Sequence, residues 1–277
     1  MTKDKGGRIA ANFRNANIAE ELAILLFKPF CAIANVPRQE DYGIDFIGTL
    51  LKKNRKVYSA QDSFVAQIKV KSSPIFEFSG EGITWLRSLQ LPYFPITVDL
   101  NSSSVSVYSL NEWHQPIFTS NLTKYNFVVQ NDFCEGDGLD DFPLRYPIIE
   151  WSIKDTKHEM FAEWAFNILK IIVKIETRNF QFGGLWRFEQ FDFETFKFNP
   201  ENPVPNTELI KTLLLEIPPG LPEDVKQIIN RALSSLPDWI ANQIYEDDKS
   251  KTIIKLKNAL KDLKLDVVSD VKYYQKK

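Results

Sequence analysis

Cysteine and histidine are scarce, with two of each in 277 residues. Cys31 and Cys134 alone exclude a disulfide framework and an all-cysteine zinc site. His114 and His158 are too few for a multi-histidine metal centre, and they disfavour a Ser-His-Asp hydrolase. Long apolar runs are also missing. The most apolar stretches, Leu22–Phe27 and Phe166–Ile175, are too short or too broken by charge to cross a bilayer. Residues Met1–Arg8 lack the apolar core of a signal peptide. The expectation is a soluble, cytoplasmic chain with no membrane role.

A large charge excess of one sign is lacking too. The formal net charge is −2, so there is no global polybasic signature. The distribution is uneven, however. Residues 1–75 carry 12 basic and 7 acidic side chains, residues 249–277 carry 9 and 3, and the stretch between carries 13 and 26. Local patches of this kind steer partners more than net charge does. What the chain has in plenty is apolar bulk. With 44% hydrophobic and 13% aromatic residues it buries a sizeable core unaided.

The pattern along the chain predicts an α/β or α+β protein. A helix is expected over Ala16–Phe27, with Asn17 as cap and Glu20 three residues on as in a capping box. Strands are expected at Cys31–Val36, Ile44–Leu51 and Phe64–Lys71, with a solvated turn or loop at Lys52–Lys56. In Phe64–Lys71, Phe64, Ala66, Ile68 and Val70 point one way, and Val65, Gln67, Lys69 and Lys71 the other. A short helix around Trp85–Leu89 and strands at Ile96–Leu100 and Ser104–Ser109 follow. Asn131–Arg145, rich in Asp, Gly and Pro, marks a boundary between a unit at residues 8–130 and a mixed, largely helical one at 146–277. The second unit opens with a long helix over Lys157–Thr177 and continues with two strands around Gly183-Gly184. A rigid loop follows at Asn199–Asn206, then helices near Pro222–Leu236 and Lys249–Leu265.

Chemistry concentrates between Glu20 and Ser73. Asp45 begins one strand, and Gln67 and Lys69 share a face of another. If the two strands form a hairpin, a carboxylate, an amide and an ammonium converge at a sheet edge, with a helix glutamate upstream. Hard divalent cations take oxygen ligands of this kind, and a lysine beside such a cation stabilises developing charge on phosphorus.

Glu20 … Asp45 … Gln67-x-Lys69 resembles the PD-(D/E)xK, restriction-endonuclease-like nucleases. The likeness is to the Q-x-K variants among archaeal Holliday-junction resolvases and methylation-dependent restriction enzymes. Three phrases are closest to the bacterial domain of unknown function 4365, often met in phage defence: Asn17-Ile18-Ala19-Glu20, Val36-Pro37-Arg38-Gln39-Glu40-Asp41-Tyr42-Gly43-Ile44-Asp45-Phe46 and Gln67-Ile68-Lys69-Val70-Lys71-Ser72-Ser73. The resemblance covers residues 8–115 and implies an αβββαβ core. It implies Mg²⁺ or Mn²⁺ held by Glu20, Asp45 and the Ile68 carbonyl, with Lys69 catalytic and Gln67 standing where a carboxylate is commoner.

Glu20 also fits a plain capping role. Arg38 either pairs with Glu40 or Asp41 or contacts phosphate, and Lys71 is either a phosphate contact or a solvated strand end. Two functions stay open. One is a metal-dependent nuclease acting on nucleic acid, DNA before RNA, with the C-terminal region joining a second copy or a defence-system partner. The other is an inactive nuclease-fold module that binds nucleic acid or protein.

Overall fold

A computed structural model describes residues 11–37, 43–72, 74–129, 141–182, 187–192 and 194–216, apart from residues 206, 208 and 209. The chain is a mixed α/β protein. Helix α1 (Ala11–Phe27) leads into strands β1 (Cys31–Asn35), β2 (Phe46–Asn54) and β3 (Val57–Val70). Next come β4 (Ile75–Ser79), α2 (Glu81–Ser88), β5 (Tyr93–Asp99) and β6 (Ser104–Val107). A 3₁₀ turn at Asn111–Trp113, α3 (His114–Thr119), β7 (Lys124–Val129), β8 (Asp141–Leu144) and β9 (Ile149–Ser152) follow. The last described elements are α4 (Phe161–Phe182), β10 (Arg187–Asp192), β11 (Phe196–Lys197) and β12 (Lys211–Glu216).

Seven strands form the central sheet in the order β1-β2-β3-β5-β6-β9-β11. β1, β2 and β3 are antiparallel neighbours, and β5 lies parallel to β3 after the crossover through α2. β4, β7 and β8 make a second sheet, and among the described residues β10 pairs only with β12.

Alternation in β3 assigns its two faces. Phe64, Ala66 and Ile68 pack into one hydrophobic cluster with Ala19, Ala23, Leu26 and Phe27 of α1 and much of α4. Val65, with Tyr93 of β5, packs into a second cluster with the β4–β7–β8 sheet, α2 and α3. The central sheet is therefore covered on one face by helices and on the other by a second sheet.

Several expected boundaries move. α1 begins at Ala11, so Asn17 and Glu20 lie inside the helix, not at its N-terminus as the capping pattern suggested. The strands flanking Lys52–Lys56 run on to Asn54 and resume at Val57, narrowing the expected turn or loop to an exposed turn at Arg55-Lys56. β5 starts at Tyr93 and runs through Pro95. Just past the last β5–β6 pair the Pro95 carbonyl accepts the Tyr108 N–H at 2.8 Å, so the proline lies at the end of this ladder and withholds only its own donor there.

The core also runs across the boundary expected between residues 130 and 146. β9 inserts beside β6 in the central sheet, and α4 fills the cluster that α1 begins. α4 continues to Phe182, where a strand was expected. The helices expected near Pro222–Leu236 and Lys249–Leu265 lie outside the described residues. Among the described residues no helix is long and apolar enough to cross a membrane.

Candidate functional site

The site is organised by the place where β2 stops. Its pairing with β3 ends at Phe46 opposite Ala66, so β3 beyond Ala66 loses its neighbour on that side. A strand edge left this way presents unpaired backbone groups. Asp45 meets them. Its amide donates to the Ala66 carbonyl at 2.9 Å, and its carboxylate Oδ2 accepts the Ile68 N–H. The Asp45 carbonyl in turn accepts from Val36 N–H at 3.0 Å, tying the same residue to the end of β1. Gly43 supplies the turn that delivers Asp45, with φ +97°, a conformation other residues rarely adopt.

The Ile68 carbonyl shares this edge. Val65 and Lys71 donate toward β5, to Pro92 and Val98, so the alternate residues Ala66 and Ile68 direct their backbone groups to the other side. The Ile68 side chain itself is buried among the helices.

Gln67 and Lys69 project from the opposite face of the sheet to α1, at the margin of the second layer. Both are half-buried. Gln67 Oε1 accepts a hydrogen bond from the Tyr93 hydroxyl at 2.7 Å, and Tyr93 is itself buried with its ring edge on Phe78. Lys69 stands in register with the buried Thr97 of β5.

Lys71, next along that face, forms an ion pair with Asp99 at 3.5 Å. Burial tends to raise the Asp99 carboxyl, but the Asn101 and Ser102 amides and the Lys71 ammonium outweigh it and hold it below the usual carboxylate range.

The structure thus brings Asp45, the Ile68 backbone and Gln67 together, with Lys69 two residues along the strand. Glu20 is half-buried on α1, which approaches the sheet from its other face. Arg38 lies outside the described residues, as does Asp41. Among the described residues no cluster of three or more His, Cys, Asp or Glu side chains has metal-binding spacing. The Asp45 carboxylate and the Ile68 carbonyl fit a hard divalent cation as oxygen donors. The Gln67 amide oxygen is shared with Tyr93.

Sequence reasoning missed Tyr93 and Asp99, whose roles depend on the β3–β5 register. It also missed a buried polar network that joins α4 to the start of α3. There His114 Nε2 and the Ser109 hydroxyl both bond to the carboxylate of Glu176 on α4. His114 and Glu176 are 0% and 1% exposed. The scarcity of histidine was a signal, but nothing local pointed to Glu176, 62 residues away.

Comparison with known protein families, curated proteins and solved structures yields no match for this chain.

Proposed function

We propose that this chain is a metal-dependent nuclease hydrolysing phosphodiester bonds, in DNA before RNA. The observation that carries the reading is the Asp45–Ile68 hydrogen bond. It holds a carboxylate against the backbone of a strand whose next outward residues are Gln67 and Lys69. Bound Mg²⁺ or Mn²⁺ supplies a water made more acidic and a counter-charge for the phosphate oxygens. Asp45 and the Ile68 carbonyl would hold the cation, and Glu20, on the helix at the other face of the sheet, is the residue proposed to complete the set. Lys69 stabilises charge on the transferring phosphoryl group, and Gln67, steadied by Tyr93, orients a water or phosphate oxygen.

Arg38 and Lys71 are assigned to phosphate contact. The resemblance places the activity in a cytoplasmic phage-defence or restriction setting, with the C-terminal region engaging a second copy or a partner protein.

One observation favours a second reading. The Tyr93 hydroxyl already uses the Gln67 oxygen at 2.7 Å, which suits a nuclease fold retained for binding alone. Incubation of supercoiled and linear DNA with Mg²⁺ or Mn²⁺ separates the two. The nuclease reading expects nicking or cleavage that EDTA abolishes. It also expects Lys69→Ala to be slower by on the order of 10²–10³, the cost of losing one charge-stabilising group, while binding persists. Metal-independent binding without cleavage at any metal concentration establishes the binding module instead.

A further inference from the structure

We propose that the β2–β3 ribbon is a nucleic-acid arm that enters a groove of a duplex and lays its basic side chains against the phosphates. The proposal shares the choice of nucleic acid with the reading above but depends on no catalytic residue.

Beyond the register shift between Thr49 and Leu51, β2 and β3 continue as a pair with no third strand among the described residues, Leu51↔Ala60 to Asn54↔Val57, closed by Arg55 and Lys56. A bulge of this type bends and twists a strand pair away from its sheet. Residues 51–60 carry Lys52, Lys53, Arg55 and Lys56 and no acidic residue. All four are exposed, and among the described residues none forms an ion pair. Lys52 and Lys53 are neighbours along the strand and so face opposite sides of the ribbon. Val57 and Tyr58, 67% and 52% exposed, also lie on opposite sides.

The distribution selects the partner. A flat anionic surface touches one side of a ribbon, whereas a groove encloses both. The B-DNA major groove, about 12 Å wide, admits a two-stranded ribbon. The exposed Tyr58 ring, in register with Lys53, adds a flat apolar surface that a phosphate-lined groove shields from water.

The turn adds an independent observation. Arg55 has φ +55°, where glycine is the unstrained choice. A basic side chain is thus kept at the tip at the expense of local strain, and such strain accumulates at functional positions.

The test is equilibrium binding of a 24-base-pair DNA duplex in EDTA, read by fluorescence anisotropy between 50 and 200 mM salt. Each neutralised phosphate contributes about 0.9 to the slope of log affinity against log salt. With Lys52, Lys53, Arg55 and Lys56 all changed to serine, the slope should become shallower by about 2–4, with an unchanged melting temperature. Arg55→Gly should weaken binding while raising the melting temperature, a combination that damaged folding does not produce.

An unchanged slope in the fourfold variant overturns the proposal. So does the absence of duplex binding by the wild type, including the case in which it binds phosphatidylserine vesicles instead. The two readings fail separately. Wild-type protein that binds through the ribbon but cleaves nothing removes only the nuclease. Protein that cleaves with a ribbon-independent slope removes only the arm.

Discussion

Replacing Asp45 tests structure and chemistry at once, because its carboxylate has two tasks that different substitutions separate. Asp45→Ala leaves the Ile68 N–H, part-buried at the end of β2, without its acceptor. A stranded donor of this kind costs about 1–3 kcal/mol. At about 2–4 °C per kcal/mol for a chain of this size, the melting temperature should fall by about 2–12 °C. Asp45→Asn keeps an oxygen in the same place and gives up only the charge, so its cost should stay near about 1 kcal/mol. Metal binding should not survive either change. A cation at a hundred times its Kd stabilises the folded state by about 2.7 kcal/mol. Wild type should therefore gain several degrees from Mn²⁺, and both variants should gain almost nothing. Calorimetric melts of the three proteins in EDTA and in Mn²⁺ give six transitions that decide both tasks. An Asp45→Ala protein melting with wild type in EDTA refutes the edge-capping argument. An Asp45→Asn protein that keeps the Mn²⁺ gain, or cleaves at the wild-type rate, refutes the carboxylate as metal ligand.

Three further outcomes follow from the packing and the charges. A Cβ built on Gly48 would lie 2.5 Å from Phe64 Cζ, and that ring is held by Phe27, Phe46 and Phe94. Gly48→Ala should therefore cost about 1–3 kcal/mol in urea unfolding, and a wild-type midpoint would show that the ring moves freely. His114→Ala should cost about 1–3 kcal/mol by leaving the buried Glu176 carboxyl without its histidine and with the Ser109 hydroxyl, and adding Glu176→Gln should recover part of the loss. The Asp99 carboxyl is lowered in the folded state. Its contribution is thus present above its unfolded value of about 3.9 and lost as pH falls through the folded one. Asp99→Asn should flatten the acid limb of stability below about pH 4 and leave neutral pH differences unrelated to titration; an identical acid limb would remove Asp99 from the account.

Legibility in the sequence followed the range of the interactions. Strict alternation from Phe64 to Val70 gave the faces of β3 correctly, because a period of two is a local property. The beginning of α1 was misplaced because Asn17 and Glu20 satisfy the capping pattern although the helix already runs from Ala11. Lys52–Lys56 resembled a loop because charge density ordinarily marks solvated turns, yet cross-strand pairing carries strands into it. The strand around Pro95 was shortened because proline, with no N–H, argues against a central strand, yet here it sits at the end of the β5–β6 ladder with its carbonyl bonded to Tyr108. The second sheet, the Tyr93–Gln67 bond and the Glu176 network join residues tens of positions apart. No local pattern encodes such distances.

The location of the candidate site follows from two endings in the fold. A strand buried on both faces is apolar at every position, and Phe64-Val65-Ala66 meets that demand. After Ala66 two things change together. β2 ends at Phe46, which opens the strand edge that the Asp45 carboxylate closes at Ile68. On the outward face burial falls from Val65 to the half-buried Gln67 and Lys69 and the exposed Lys71. Either ending alone would leave an ordinary solvated margin. An open edge without an open face gives backbone groups that a side chain caps, and an open face without an open edge gives a row of polar residues. Their coincidence at residues 67–69 brings the Asp45 carboxylate, the Ile68 backbone and Gln67 to one margin of the sheet, with Lys69 two residues along the strand. The residues that stabilise this termination are therefore those proposed for the chemistry, and the Asp45 substitutions are chosen to separate the two.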